Sequence, residues 1–354
     1  MKNFVTFQTC MRPMLIMLIL VVMGLLPRSV HARAESGNCQ PLYVPVALSG
    51  GEPAQYSIYG ELCNPSSGPS HTVQLLIPGG TYGHIYWDFS YQPQLYSYVR
   101  ALNAAGYSTF NIDRIGTGLS SHPLLDQGGV TMQSNAYVVH EIVQDLRSGL
   151  IGNQPFARVL LVSHSLGSAV AWIEAGTYHD VDGAIITGLL HHLNAIMLAN
   201  VLATFYPAAL DPRFADKGLG VGYLTTEPGT RKKDFYYAPD ADPDVIALDE
   251  ATKETATDGE AATFAPTLVD GISAQITVPV LLIVGQQDAI LCGPEATDCS
   301  SAATVQQAEA PYYCSQAQLQ VAVIPNAGHD ITLHEAAPLE FAAATTWAYE
   351  YAAP

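Results

Sequence analysis

Past residue 40 the chain alternates short apolar runs with stretches of helical spacing. Residues 55–62 alternate in polarity, the pattern of a half-exposed strand. Residues 73–77, 107–112, 159–162, 184–186, 278–284 and 319–324 are short, mostly apolar runs, which predict strands covered on both faces. Between them, residues 94–105 have helical spacing and end at Gly106. Residues 135–150 place Tyr137, Val138, Ile142, Val143 and Leu146 along one helical side, a further helix opens at Leu166, and residues 338–351 predict a last one. Strand–helix alternation of this kind predicts an α/β fold with a mostly parallel sheet and helices on both faces.

Residues 188–273 break the rhythm. They hold Pro207, Pro212, Pro228, Pro239 and Pro243, and residues 240–260 carry eight acids against the single Lys253. The expectation is an inserted cap of loops and short helices, with the core formed by residues 35–187 and 274–354. A solvated linker is the alternative for residues 240–260 alone.

The first residues follow a different pattern. Lys2 and Arg12 precede an apolar run over residues 14–26, which is short of the ~20 residues a spanning helix needs. Pro27 ends the run, and Ala32-Arg33-Ala34 offers small residues at a cleavage site. Residues 1–34 are therefore expected to be a secretory signal peptide cut after Ala34, with an uncleaved anchor as the alternative. A secreted chain without membrane insertion follows.

Composition then changes meaning. The full chain of 354 residues carries 14 basic and 32 acidic side chains, net -18. The leader holds Lys2, Arg12, Arg28 and Arg33 and no acid, so the remainder has 10 basic and 32 acidic groups, net -22. Such acidity repels phosphate backbones and argues against nucleic acid as a partner. Acids over a pocket mouth would also discourage anionic substrates. Five cysteines remain, an odd number in an oxidising compartment. Cys39 with Cys63 and Cys292 with Cys299 are the expected pairs, leaving Cys314. The spacing of the last three cysteines fits no zinc finger, and no cofactor or metal is expected.

The chemistry sits at strand ends. Ser163-His164-Ser165-Leu166-Gly167 follows an apolar strand and opens a helix rich in small residues, the context of a turn that lifts one hydroxyl above a sheet. A serine hydroxyl needs a base. His329, in Asn326-Ala327-Gly328-His329-Asp330 directly after the last strand, is the candidate, with Gly328 expected to give its loop freedom. Asp288, after residues 278–284, is the candidate orienting acid, because no carboxylate follows the fourth strand before Asp211. His164 is expected to point away, Asp330 to be a plain loop residue, and His191 and His192 to be able to line the pocket.

The order Ser165, Asp288, His329 resembles the α/β-hydrolase superfamily, in particular its secreted esterase- and lipase-like members. Three further stretches carry the resemblance. Pro78-Gly79-Gly80-Thr81-Tyr82 stands where the family has a His-Gly motif, with Pro78 replacing the histidine. Asp113 to Ser120 looks like its Asp-x-Arg-Gly-x-Gly-x-Ser turn, with Ile115 out of place. Residues 280–288 match its acid-bearing strand. The resemblance implies an eight-stranded sheet with a cap inserted after strand six, and an oxyanion hole made by the amides of Leu166 and Gly80. It implies a serine-dependent hydrolase acting on a small-molecule carboxylic ester, lactones included. Acyl transfer by the same three residues and a non-catalytic binding protein on this fold are the alternatives.

Overall fold

A computed structural model describes residues 38–125 and 129–354; the expected leader and its cleavage site lie outside them. The strands are β1 (Asn38–Val46), β2 (Tyr56–Asn64), β3 (Thr72–Ile77), β4 (Ser108–Ile112), β5 (Arg158–His164), β6 (Gly183–Thr187), β7 (Phe205–Pro207), β8 (Tyr223–Thr226), β9 (Ala256–Thr257), β10 (Val280–Gly285) and β11 (Gln320–Ile324). The helices are α1 (Pro93–Tyr96), α2 (Tyr98–Ala104), α3 (Met132–Ser148), α4 (Leu166–Tyr178), α5 (Ala195–Leu202), α6 (Arg231–Phe235), α7 (Pro243–Thr252), α8 (Asp258–Thr267), α9 (Ala302–Glu309) and α10 (Ala337–Tyr351).

Eight strands form one sheet in the order β1-β2-β4-β3-β5-β6-β10-β11. Only β2 runs against its neighbours; the pairs from β4 to β11 are parallel. Every residue of β3, β4, β6 and β10 is buried, as a sheet covered on both faces requires. The carboxyl ends of β5 and its parallel neighbours therefore open on one edge, where ligands bind in sheets of this kind.

β1 carries Pro41 and Pro45, which a strand in the middle of a sheet would not accept. At a sheet edge the lost amide faces solvent, so the prolines are tolerated. Cys39 pairs with Cys63 in this ladder, and a disulfide joins them. A second disulfide links Cys292 and Cys299, and Cys314 carries a free thiol whose Sγ lies 2.9 Å from the Ile276 carbonyl. The helix expected over residues 94–105 is two helices, α1 and α2. Ser97 breaks it in an extended conformation and caps α2 by accepting from the Arg100 amide.

The chain between β6 and β10 is more than loops and short helices. It also holds a three-stranded antiparallel sheet, β7-β8-β9, whose strands of two to four residues carry no readable alternation. Four of the eight acids in residues 240–260 are held in ion pairs. Asp249 pairs with Arg231, Glu250 with Lys253, Glu254 with Arg213 and Glu260 with Arg114. Among the described residues, no helix is long and apolar enough to cross a membrane.

Candidate active site

β5 ends at His164, and Ser165 turns the chain into α4 with φ 52° and ψ −118°. A side chain in this region of backbone space is strained, and the surroundings hold it there. The Ser165 amide donates to the Thr187 carbonyl at 2.8 Å, and the Ser168 amide donates to the Ser165 carbonyl at 2.9 Å. A Cβ on Gly167 would stand 2.5 Å from the Pro78 carbonyl oxygen, so only glycine lets α4 start this close to β3. Ser163 fits the first position of the motif. It is fully buried, and its hydroxyl lies 3.1 Å from the Ser168 hydroxyl and 3.3 Å from the Ile185 carbonyl.

The structure brings the three sequence candidates together. His329 Nε2 stands 2.8 Å from Ser165 Oγ, and His329 Nδ1 stands 2.8 Å from Asp288 Oδ2. Asp288 is fully buried, and its other oxygen accepts from the amides of Ile290 at 2.9 Å and Leu291 at 3.2 Å. The loops after β10 and β11 meet through Gly285, where a Cβ would stand 2.2 Å from the Gly328 carbonyl oxygen. Gly328 is needed for room, not for freedom: a Cβ there would come within 2.5 Å of the Tyr237 amide nitrogen. Burial pulls the His329 pKa down, but the charge and hydrogen bond of Asp288, with the charge of Asp330, outweigh it and leave it raised.

Gly80 and Leu166 lie side by side at the same place. A Cβ on Gly80 would touch Leu166 Cδ1 at 3.2 Å, and both residues line the cavity reached by Ser165 and His329. The Leu166 amide is the first of α4, so helix geometry offers it no partner within the helix. Arg114 braces the loop by donating to the carbonyls of Pro78 at 3.0 Å and Gly79 at 3.1 Å. The rest of that cavity is apolar. Leu189, Leu193, Leu198, Val201, Phe264 and Ile290 are among its walls, and no acid of residues 240–260 reaches it.

Several residues behave otherwise than expected. Asp330 is fully buried, not a plain loop residue. It accepts from the Tyr82 hydroxyl and lies 3.5 Å from His164 Nε2. Burial raises its pKa, against the lowering charges of Arg231 and His329. His164 does point away from the cavity, with Nδ1 3.0 Å from the Thr187 hydroxyl and its ring stacked on Tyr86. Burial and the neighbouring His329 hold its pKa well below the usual histidine value. His191 does not line the cavity. It is sandwiched between Trp172 and Tyr312, with Glu309 and Ser273 on its ring nitrogens. Tyr82 lines the cavity, whereas Trp87 is buried against Tyr86 and Tyr98.

Sequence reasoning missed Arg231 altogether. It is fully buried under the cavity wall, 2.8 Å from Asp249 Oδ2 and with its guanidinium 4.1 Å over the Tyr82 ring. Its Nη1 donates to the Thr81 hydroxyl at 3.0 Å. Thr81 has φ 63°, an unfavourable conformation for a β-branched residue, so Arg231 secures a strained turn next to Gly80. Standing first in the basic run Arg231-Lys232-Lys233, it carries no signal of this in sequence.

A model of the alpha/beta hydrolase family matches residues 74–344. The chain belongs to that family. Among solved structures, a soluble variant of monoglyceride lipase from Saccharomyces cerevisiae superposes with TM-score 0.62 at 15% identity, covering 92% of this chain and 99% of that one. The 2-hydroxy-6-oxo-6-phenylhexa-2,4-dienoate hydrolase of Rhodococcus sp. strain RHA1 gives 0.54 at 15% identity, over 88% and 99%. Est1E of Butyrivibrio proteoclasticus, solved with ferulic acid, gives 0.51 at 17%, over 88% and 100%. At these identities the likeness is one of fold. No curated protein matches the sequence. The family match begins inside β3 and so leaves out the disulfide-linked β1–β2 hairpin.

Proposed function

We propose that the protein is a secreted serine hydrolase of carboxylic esters with an apolar acyl group, lactones included. The observation that carries this is the connected chain Ser165–His329–Asp288, with 2.8 Å at each link, opening on an apolar cavity. The two disulfides support the secreted setting. A non-catalytic binding protein would not need all three polar partners in hydrogen-bond contact.

In this reading Ser165 Oγ attacks the ester carbonyl while His329 Nε2 takes its proton. Asp288 holds the ring by Nδ1 and balances the imidazolium charge. The tetrahedral oxyanion faces the amides of Gly80 and Leu166. Its collapse breaks the bond to the alkoxide, which takes the proton back from His329 and leaves as the alcohol. Water, deprotonated by His329, then attacks the acyl-Ser165, releasing the acid and restoring the hydroxyl. Residues 188–273 serve as the cap that shapes the acyl site.

The test is a series of p-nitrophenyl esters of rising acyl length. Each methylene taken into the cavity adds about 0.8 kcal/mol, at most about fourfold per carbon. kcat/KM is expected to climb at least tenfold from acetate to hexanoate and to drop for a terminally charged succinate. A flat series, or a preference for the charged acyl group, contradicts the substrate assignment.

A pH dependence follows from the raised His329 pKa. The base must be neutral to accept a proton, so activity falls as pH drops through the folded-state pKa. The acidic limb of kcat/KM is expected to have its midpoint above pH 6.5, the ordinary histidine value. A midpoint below that value means that burial outweighs Asp288 and Asp330 at the ring.

A further inference from the structure

At the far end of α4 from Ser165, three side chains on separate turns converge. His140 comes from α3, Glu174 from α4, and Asp180 from the loop after α4. Glu174 lies nine residues beyond Ser165, about 13 Å along the helix axis, so this cluster is outside the catalytic site. One nitrogen of His140 and one oxygen from each acid all lie within 4.8 Å of one another. His140 Nδ1 is 2.7 Å from Asp180 Oδ2, which also accepts from Gln144 Nε2.

Glu174 makes this more than an acidic cluster. Its side chain is fully buried, no N–H or hydroxyl donor reaches either carboxylate oxygen, and the carboxylate faces that of Asp180 closely enough to share a proton with it. Asp180 Oδ1 is likewise unpartnered. The nearby cation is already engaged: Arg147 binds the Asp182 carboxylate at 2.6 Å and the Asp180 carbonyl at 2.8 Å. Two facing carboxylates in a buried place need a positive charge between them or a shared proton.

We propose that His140, Glu174 and Asp180 form a structural divalent-cation site that ties α3 to α4. One imidazole and two carboxylates, with water completing the shell, make a donor set for a first-row cation such as Zn²⁺. Ca²⁺ is disfavoured, since it takes six to eight oxygen ligands and no imidazole. The ring stacks on Tyr178 at 4.1 Å, which fixes its plane at the cluster. The site has no part in the ester chemistry, so it stands or falls separately from the proposed function.

The test uses the full chain, stripped of metal by chelation and titrated with ZnCl₂ by calorimetry and by metal analysis after desalting. Wild type is expected to take up one equivalent, with Tm raised by about 3–6 °C at a hundredfold excess over Kd. Glu174→Gln keeps the shape and donates to Asp180, so it is expected to fold yet bind Zn²⁺ at least tenfold more weakly. His140→Ala, at a half-exposed position, is expected to do the same, and ester turnover of the metal-free variants is expected to match metal-free wild type. No uptake by wild type, with Glu174→Gln as stable as wild type, means a proton shared by the two acids and overturns the proposal. Uptake that Glu174→Gln retains in full is adventitious histidine binding and overturns it equally.

Discussion

Ser165→Ala is expected to lower kcat for ester hydrolysis by about 10⁴–10⁶-fold, the range for loss of a nucleophile that acts as a unit with its base. The variant removes one atom and no structural contact that the fold depends on. The amide of residue 165 still donates to Thr187, and its carbonyl still accepts from Ser168. His329 keeps its hydrogen bond to Asp288, so the base stays oriented but has no hydroxyl to deprotonate. Residual turnover would come from the oxyanion donors and binding alone. Steady-state kinetics with a circular dichroism melt checks both halves: activity collapses while Tm stays within a few degrees. Wild-type turnover in a folded Ser165→Ala protein would mean that another group carries the reaction.

Arg231→Ala is the second large effect, and it should fall on stability and rate together. Arg231 is the buried counter-charge of Asp249 and raises no competing contact with solvent. Truncating one member of a buried pair leaves an uncompensated charge and costs about 3–5 kcal/mol. The Tyr236 hydroxyl would still donate to Asp249 at 2.9 Å, which is too little to replace a guanidinium. The left-handed Thr81 also loses its donor, and Gly80 next to it loses a fixed place. Denaturant titration is expected to show the stability loss, and kcat is expected to fall more than KM rises, because positioning beside the reacting carbonyl is what suffers. Adding Asp249→Asn removes the stranded charge and should restore much of the stability but not kcat. Full recovery of both would reduce Arg231 to a purely structural role.

What could be read from sequence, and what could not, divides along physical lines. Ser165, Asp288 and His329 each follow directly on an apolar strand, so local pattern alone places them at one edge of a parallel sheet. Their mutual distances come from the sheet order, which sets β5, β10 and β11 apart by β6 alone. Pro41 and Pro45 in β1 are permitted only by its edge position, which no local pattern states. Asp330 and Arg231 were hidden because their importance is burial and partnership across distant segments. Asp330 meets Tyr82 from 248 positions away, and Arg231 meets Thr81 from 150. The same holds for the acids of residues 240–260. Charge counting set them over a pocket mouth, whereas half of them sit in ion pairs with Arg114, Arg213, Arg231 and Lys253.

The central claim is that Ser165 is an activated nucleophile. Reaction of the folded protein with a fluorophosphonate, read by intact mass and peptide mapping, tests it most directly. The expected result is one adduct per chain, on Ser165, formed rapidly in wild type and slowly in His329→Ala. No adduct on the folded protein, or an adduct on another residue with Ser165 unmodified, would contradict the account.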